Sequence, residues 1–389
     1  MIRVGFIVLT PDKWTGGTSY FKNLLYATSK LNNKIIQPVL FFATNENRKV
    51  VESFEPLGEI VKTDILDQNS FLGFLNAILM RLFNRSFILE DFFRKNQIDV
   101  VSHSRFISTD KNITTINWIT DFQHLHLPGM FSGFERLYRN IFFSRLVKNS
   151  DSVVLSSEDA RKDYTKLFNN YERKAKVLQF VSQPSKKIYR IRSTKEIEKK
   201  YKFSGKYFYL PNQLWKHKNH IVVLKALNLI KRERKAVLVI STGYLKDYRN
   251  RTYADYLLKY VQKNKLENYI KFLGLIDYED VLTLMRYSIS IINPSLFEGW
   301  STSVEEAKSI GKNMILSNID VHKEQNPPGS LYFDPRSSEE LAKILWMKWL
   351  SSDGGPDFAL EKTAKNTLKK RTIKFAKDYE NIVLDITGD

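Results

Sequence analysis

The chain has no cysteine among its 389 residues. That excludes a disulfide framework, a cysteine-ligated zinc or iron–sulfur centre, and a cysteine nucleophile. Glycine and proline are sparse, at 16 and 11 residues, too few for a collagenous or linker-dominated chain. No window reaches the roughly 18 uninterrupted apolar residues of a membrane-spanning helix. The apolar start, residues 1–9, is too short for a signal peptide and lacks a small-residue cleavage pattern, so it reads as a buried strand of a cytoplasmic chain. Neither G-x-G-x-x-G nor G-x-x-x-x-G-K-[ST] occurs after that strand, which argues against a nicotinamide dehydrogenase or a nucleoside triphosphatase. Acidic residues are also short, 42 against 61 Lys and Arg, for a net charge of +19. The excess is spread over both halves of the chain. Such a surface attracts nucleic acid, acidic headgroups or phosphorylated small molecules without choosing among them.

What is present is ordinary globular material, 43% hydrophobic and 26% charged, which excludes a wholly disordered chain. At roughly 150 residues per domain the length implies two or three domains. Short β-branched runs alternate with longer amphipathic stretches from end to end. Strands are expected at 2–9, 35–42, 98–103, 113–119, 152–155 and 176–180, and again at 206–210, 236–241, 269–273, 288–292, 314–316 and 331–333. Uncharged strands separated by helical stretches imply parallel sheets with right-handed crossovers. The Lys- and Arg-rich segment 182–205 is the expected linker. The expected domains are therefore two Rossmann-like halves, 1–185 and 206–372, with a closing helix at 373–389 returning to the first.

Four segments could carry chemistry. In Glu298-Gly299-Trp300-Ser301-Thr302-Ser303-Val304-Glu305-Glu306, two overlapping S/T-x-x-E patterns predict a helix that starts near Ser303 and stops at Gly311. A helix start at the carboxyl end of a parallel strand offers N–H groups and a positive dipole end to a phosphate. Glu306, about one turn in, could accept hydrogen bonds from vicinal hydroxyls. The same pattern also fits an ordinary capped helix with solvated glutamates. Asn212-Gln213-Leu214-Trp215-Lys216-His217-Lys218 follows the first strand of the second half, and Lys216 and Lys218 could pair with phosphate oxygens or simply be solvated. In Trp14-Thr15-Gly16-Gly17-Thr18-Ser19, adjacent glycines permit a close backbone approach or merely shape a turn. Asp121, His124 and His126 follow the strand ending at Ile119. They invite a metal reading, but no third ligand has convincing spacing. No metal is expected there, and a histidine turned toward substrate is the preferred reading, with Asp121 and His126 on an acceptor side.

With these motifs in order, the sequence resembles the GT-B glycosyltransferases of family 4, retaining enzymes that use nucleotide sugars. The resemblance covers essentially the whole chain. Its most specific element is the Glu298-x7-Glu306 pair, with Phe272-Leu273-Gly274-Leu275 upstream. It implies two Rossmann-like domains facing across a cleft, with hinge motion near 182–205. Glu298 would contact donor-sugar hydroxyls, Glu306 the ribose, and the backbone of Gly299, Trp300, Ser301, Thr302 and Ser303 the diphosphate. Lys218 would neutralise the leaving phosphates, and Gly274, Leu275 and Ile276 would hold the base. His124 would lie near the reacting carbon, and Gly16 and Gly17 would close over the phosphates. The family's arginine six residues before the lysine is Asn212 here, with Lys216 as a substitute charge. Ser301 stands where a glycine is usual. No cofactor is required beyond the nucleoside diphosphate sugar.

The leading expectation is transfer of a hexose-type sugar to a saccharide or lipid-linked hydroxyl in cell-surface polysaccharide biosynthesis, lipopolysaccharide included. A GT-B epimerase or a soluble-acceptor transferase is the alternative, and a nucleic-acid-binding protein a remote one, since no nucleic-acid motif is evident. Residues 131–148 and 71–87 interleave aromatics with arginines. Phe134, Leu137, Tyr138, Ile141, Phe142 and Leu146 fall on one stripe. Stripes of this kind usually face a core, but with basic flanks they also suit peripheral contact with an anionic membrane at the inner face of the cytoplasmic membrane.

Overall fold

The computed structural model describes residues 1–8, 15–191, 193–245 and 252–388. Leu9, at the end of the expected first strand, and Trp14, in the expected Gly-Gly loop, lie outside the described residues. The chain divides into two compact units, Met1–Val181 with Lys369–Asp389, and Ser182–Leu368. The basic segment 182–205 packs within the second unit, where it forms the short helix Lys195–Tyr201. The last helix, Phe358–Thr387, begins in the second unit and ends in the first.

Among the described residues the first unit holds a seven-stranded parallel sheet: β1 (Ile2–Ile7), β2 (Ile36–Ala43), β3 (Glu59–Thr63), β4 (Val100–Ser104), β5 (Thr114–Ile119), β6 (Ser152–Leu155) and β7 (Ala175–Val177), ordered β3-β2-β1-β4-β5-β6-β7. β3 is absent from the sequence expectation. It is an edge strand carrying Glu59 and Lys62, so it lacks the apolar signature of strands covered on both faces.

The second unit repeats the plan. Its strands are β8 (Phe208–Leu210), β9 (Val239–Ser241), β10 (Ile270–Phe272), β11 (Ile291–Asn293), β12 (Met314–Ser317) and β13 (Leu331–Phe333), in the order β10-β9-β8-β11-β12-β13. Tyr209 of β8 pairs with Ile291 of β11. Side chains alternate across a strand, and both faces are buried: Phe208 and Leu210 enter one apolar cluster, Tyr207 and Tyr209 the other. In each sheet the winding direction reverses once, between β1 and β4 and between β8 and β11. Ligands of such sheets bind beyond the carboxyl ends of strands at that reversal.

Candidate functional site

β8 ends at Leu210 and β11 at Asn293, side by side at the reversal of the second sheet. The two loops that follow are bound together. Leu296 donates its backbone N–H to the His217 carbonyl at 2.8 Å. Asn219 adopts a left-handed conformation (φ 57°) and its amide donates to Pro294 and Pro335 carbonyls at 3.0 and 2.8 Å. Asn293 is the hub: its Oδ1 accepts from Asn212 Nδ2 (3.1 Å) and Ser295 Oγ (2.7 Å), and its Nδ2 donates to Ser301 Oγ at 2.8 Å. Asn212, a candidate for donor binding at the position of the family's arginine, is buried, and its amide is bonded to Asn293.

This framework brings Lys218 and Glu298 together. The ammonium lies 2.6 and 2.9 Å from the two carboxylate oxygens, and Ser295 Oγ donates to the same carboxylate at 2.6 Å. The side chains are 17% and 8% exposed, so this is a largely desolvated pair. Burial, the largest single influence, would raise the Glu298 carboxyl, but the nearby Lys218 charge and the hydrogen bonds from Lys218 and Ser295 together outweigh it and hold the group below its ordinary value. Glu298 therefore stays ionised.

The helix Thr302–Ile310 starts one residue earlier than expected, making Ser301 its N-cap, and the Ser301 side chain makes no cap hydrogen bond. Its hydroxyl is committed to Asn293 instead. Gln325, at the end of the helix Asp320–Gln325, holds the Ser301 peptide from both sides, accepting from its N–H at 3.2 Å and donating to its carbonyl at 3.0 Å. The first-turn N–H groups of the Thr302–Ile310 helix, which have no partner within a helix, are thereby held in a fixed direction. Gly311 ends the helix as expected, at φ 77°, where a Cβ would meet the Leu360 carbonyl oxygen at 2.5 Å. Ser303 is buried, Thr302 half-buried, and Gly299 and Trp300 half-buried in the turn.

Glu306 is buried and accepts a hydrogen bond from Tyr278 at 2.8 Å. Burial pushes its carboxyl up to about 7, so near neutral pH it is poised between its two forms, and hydroxyls that donate to it, as Tyr278 does, favour the carboxylate. Gly274 follows β10 in a left-handed conformation (φ 72°), and its carbonyl accepts from Gly243 N–H at 2.9 Å. Leu275 is exposed and Ile276 half-buried. Lys216 is exposed in the short 3-10 turn Lys216–Lys218.

Two residues of this neighbourhood gave no motif signal. Gln325 is one. The other is His322, wholly buried, whose Nδ1 sits 3.0 Å from the Ser317 carbonyl. A carbonyl only accepts, so Nδ1 carries the proton. Nε2 is then a bare acceptor, and it has no partner. Burial pushes the ring down to about 4, keeping it neutral. Only coordinates reveal either role.

The first unit holds the remaining candidates. Gly16 and Gly17 are not in a loop but in the first turn of the helix Thr15–Thr28. His124, in the short helix Gln123–His126, is buried, with Nε2 2.9 Å from Asn140 Oδ1. Burial lowers its pKa, and Nδ1 has no partner. Asp121 Oδ1 accepts from the Gln123 N–H at 3.0 Å, and His126 Nε2 pairs with Asp163 at 2.6 Å, which raises the His126 pKa. These three do not converge. Among the described residues no group of three or more His, Asp or Glu is gathered as a metal site. At the reversal of the first sheet stands a histidine the motifs missed. His103 (φ 54°) is bonded to Tyr20 and Ser102, both at 2.8 Å, and lowered to about 3 by burial.

An ion pair, a helix start and a buried carboxylate at one sheet reversal fit the binding of an activated, anionic group. Residues 193–370, which contain all three, match the family model described as Glycosyl transferases group 1. The second unit carries a glycosyltransferase domain. The chain is accordingly a transferase enzyme. No curated protein matches the sequence. Among solved structures, a glycosyltransferase from Rickettsia africae is similar at 17% identity and TM-score 0.66, over 99% of this chain and 98% of that one. Anabaena Alr3699/HepE, solved with UDP and glucose, gives 15% and 0.65, over 99% and 100%. Sucrose-phosphate synthase from Thermosynechococcus elongatus gives 13% and 0.68, over 100% and 98%. At these identities the likeness establishes the fold: two parallel-sheet α/β domains of the GT-B type.

Proposed function

We propose that this glycosyltransferase is a retaining, family 4 enzyme that moves a hexose-type sugar from a nucleoside diphosphate sugar to a hydroxyl of a saccharide or lipid-linked acceptor. Its setting would be cell-surface polysaccharide biosynthesis, in the cytoplasm at the inner face of the membrane. The observation that carries the reading is the Lys218–Glu298 pair beside the Thr302–Ile310 helix start. Departure of a nucleoside diphosphate builds negative charge on the β-phosphate oxygen. Fixed N–H groups and an ammonium are strongest toward that developing charge, which favours the transition state over the ground state. The bond from the anomeric carbon to the phosphate breaks with its electron pair on oxygen. The acceptor oxygen bonds to the same face and its proton passes to the departing phosphate. Glu298, kept ionised, accepts from donor-sugar hydroxyls, and Glu306 from the ribose. The Anabaena neighbour's complexes with UDP and UDP-glucose make uridine diphosphate sugars the first donors to try.

The test is nucleoside diphosphate release across uridine, guanosine and thymidine diphosphate sugars, read with and without acceptor. Glu298→Ala and Lys218→Ala are expected to lose most turnover; full activity in both would refute the site. A soluble-acceptor reading is supported by the sucrose-phosphate synthase neighbour. A product that stays in the aqueous phase with a small sugar acceptor would establish it.

A further inference from the structure

The helix Phe71–Phe83 is built inside out. Its buried residues are Gly73 and Asn76, while Phe71, Phe74 and Phe83 are 79%, 59% and 56% exposed. Gly73 is held in place by contact: a Cβ there would lie 1.8 Å from the Asp67 carbonyl oxygen. Asn76 donates to the Ile65 carbonyl at 3.1 Å. The small and polar side of the helix is therefore fastened to the unit, and the apolar side has nowhere to face but outward.

Neighbouring helices extend that side. Phe87 opens the helix Phe87–Lys95 at 66% exposure. In Gly133–Asn149 the stripe expected to face the core splits. Phe143, Leu146 and Val147 are buried, whereas Phe134, Leu137, Tyr138 and Ile141 are exposed, Phe134 at 80%. Arg145 of this helix donates to the Leu82 carbonyl at 2.7 Å, which fixes it against the end of Phe71–Phe83. A pocket of about 620 Å³ opens here, with Leu79, Phe83, Phe87 and Ile107 in its wall beside Arg85, Arg145 and Glu90, whose carboxylate accepts from the Thr109 hydroxyl at 2.9 and 3.0 Å. An exposed apolar surface of this extent on three helices is a contact surface in waiting.

Charge selects the occupant. The helices Phe71–Phe83 and Gly133–Asn149 carry Arg81, Arg136, Arg139, Arg145 and Lys148 against one acid, Glu135, which lies 3.8 Å from Arg139, while the third, Phe87–Lys95, is balanced, with Glu90 and Asp91 against Arg94 and Lys95. Arg85 adds to them from the turn between helices. Apolar residues surrounded by guanidiniums match a bilayer interface, where the former enter the acyl boundary and the latter meet phosphates. We propose that this face of the first unit docks on an anionic lipid bilayer, with the pocket receiving one lipid beneath Arg85 and Arg145. No described helix is by itself long and apolar enough to cross a membrane, and Phe71–Phe83 and Phe87–Lys95, bent by 114° at their break, reach that length and composition only as a pair. The attachment of Gly73 and Asn76 to the unit is what places the contact in the interface. The inference deepens the membrane-side part of the proposed function, but its test involves neither donor nor acceptor.

The full-length protein is floated with vesicles of phosphatidylglycerol and phosphatidylcholine, and separately with phosphatidylcholine alone. Binding is expected to the anionic vesicles, to weaken with salt, and to be released at alkaline pH. A triple variant, Phe71→Ser, Phe74→Ser and Phe134→Ser, should bind about a hundredfold more weakly with an unchanged melting temperature, since all three side chains are exposed. Arg81→Gln with Arg136→Gln should weaken binding about tenfold or more on anionic vesicles alone. Equal flotation of wild type and triple variant would overturn the proposal. So would resistance to alkaline extraction, which would mean an inserted segment, or a dimer that the triple variant dissociates while neither form binds lipid. Lipid binding without any sugar transfer would uphold this inference and refute the enzymatic reading of the site.

Discussion

The two sheet reversals share one topology and differ in chemistry. At the β8–β11 reversal the side chains are charged, with Lys218 against Glu298 and the raised carboxyl of Glu306 nearby. At the β1–β4 reversal they are neutral. Tyr379 donates to Ser102 at 2.7 Å, Ser102 meets His103 at 2.8 Å, and His103 meets Tyr20, whose ring stacks on Trp118 at 4.4 Å. Burial keeps His103 unprotonated and raises Tyr20 and Tyr379. The same parallel scaffold thus presents a buried ion pair beside a helix start in one unit and an uncharged aromatic network in the other. Fold alone does not specify the chemistry; the loop residues do.

The largest effect expected to break this contrast is Lys218→Ala. It leaves an uncompensated buried carboxylate and should cost about 3–5 kcal/mol in urea unfolding. Lys218→Met combined with Glu298→Gln should recover much of that stability while activity stays lost. Full additivity of Lys218→Met and Glu298→Gln, each measured alone and together, would show that the pair is not coupled.

Next comes the pH dependence set by Glu306. Its folded value, about 7, lies above the ordinary 4.5. The folded state therefore holds the proton more tightly, and this stabilisation is fully present below about 4.5 and lost as pH climbs to about 7. The loss amounts to about 3 kcal/mol. Glu306→Gln should flatten the fall in melting temperature over that window; an unchanged slope would place the titration elsewhere.

Gln325→Ala removes the acceptor of the Ser301 N–H and one of the two donors to its carbonyl, which keeps the Glu305 N–H at 3.1 Å, and should cost about 1–3 kcal/mol. It should also weaken nucleotide-induced thermal shifts, because the helix start loses its fixed direction. Loss of stability with intact nucleotide response would restrict Gln325 to packing. The smallest effect belongs to the neutral network. Tyr379→Phe removes one hydrogen bond to Ser102 and should cost about 1 kcal/mol, with nucleotide response unaltered. A drop in that response would erase the distinction between the two reversals.

Much of this was readable from residue order. Tyr207-Phe208-Tyr209-Leu210 is a strand buried on both faces, and its uncharged run says so without coordinates. The Glu298-to-Glu306 spacing places a carboxylate in a turn and another one helical turn beyond. Edge strand β3 escaped because an edge tolerates Glu59 and Lys62. The inside-out helix escaped because an apolar run looks the same whether it faces a core or the outside; Gly73 and Asn76 decide, through atoms of residues 64–67.

Residue order by itself determined two parallel α/β units and the residue types at their loops, because strand burial and helix starts are written locally. Only the tertiary structure decided that Lys218, 80 positions from Glu298, would close on it. Gln325 on Ser301, the proton position on His322 and the outward aromatics of Phe71–Phe83 were settled there too. Such outcomes depend on distance through space and on shared desolvation, which no spacing along a chain encodes.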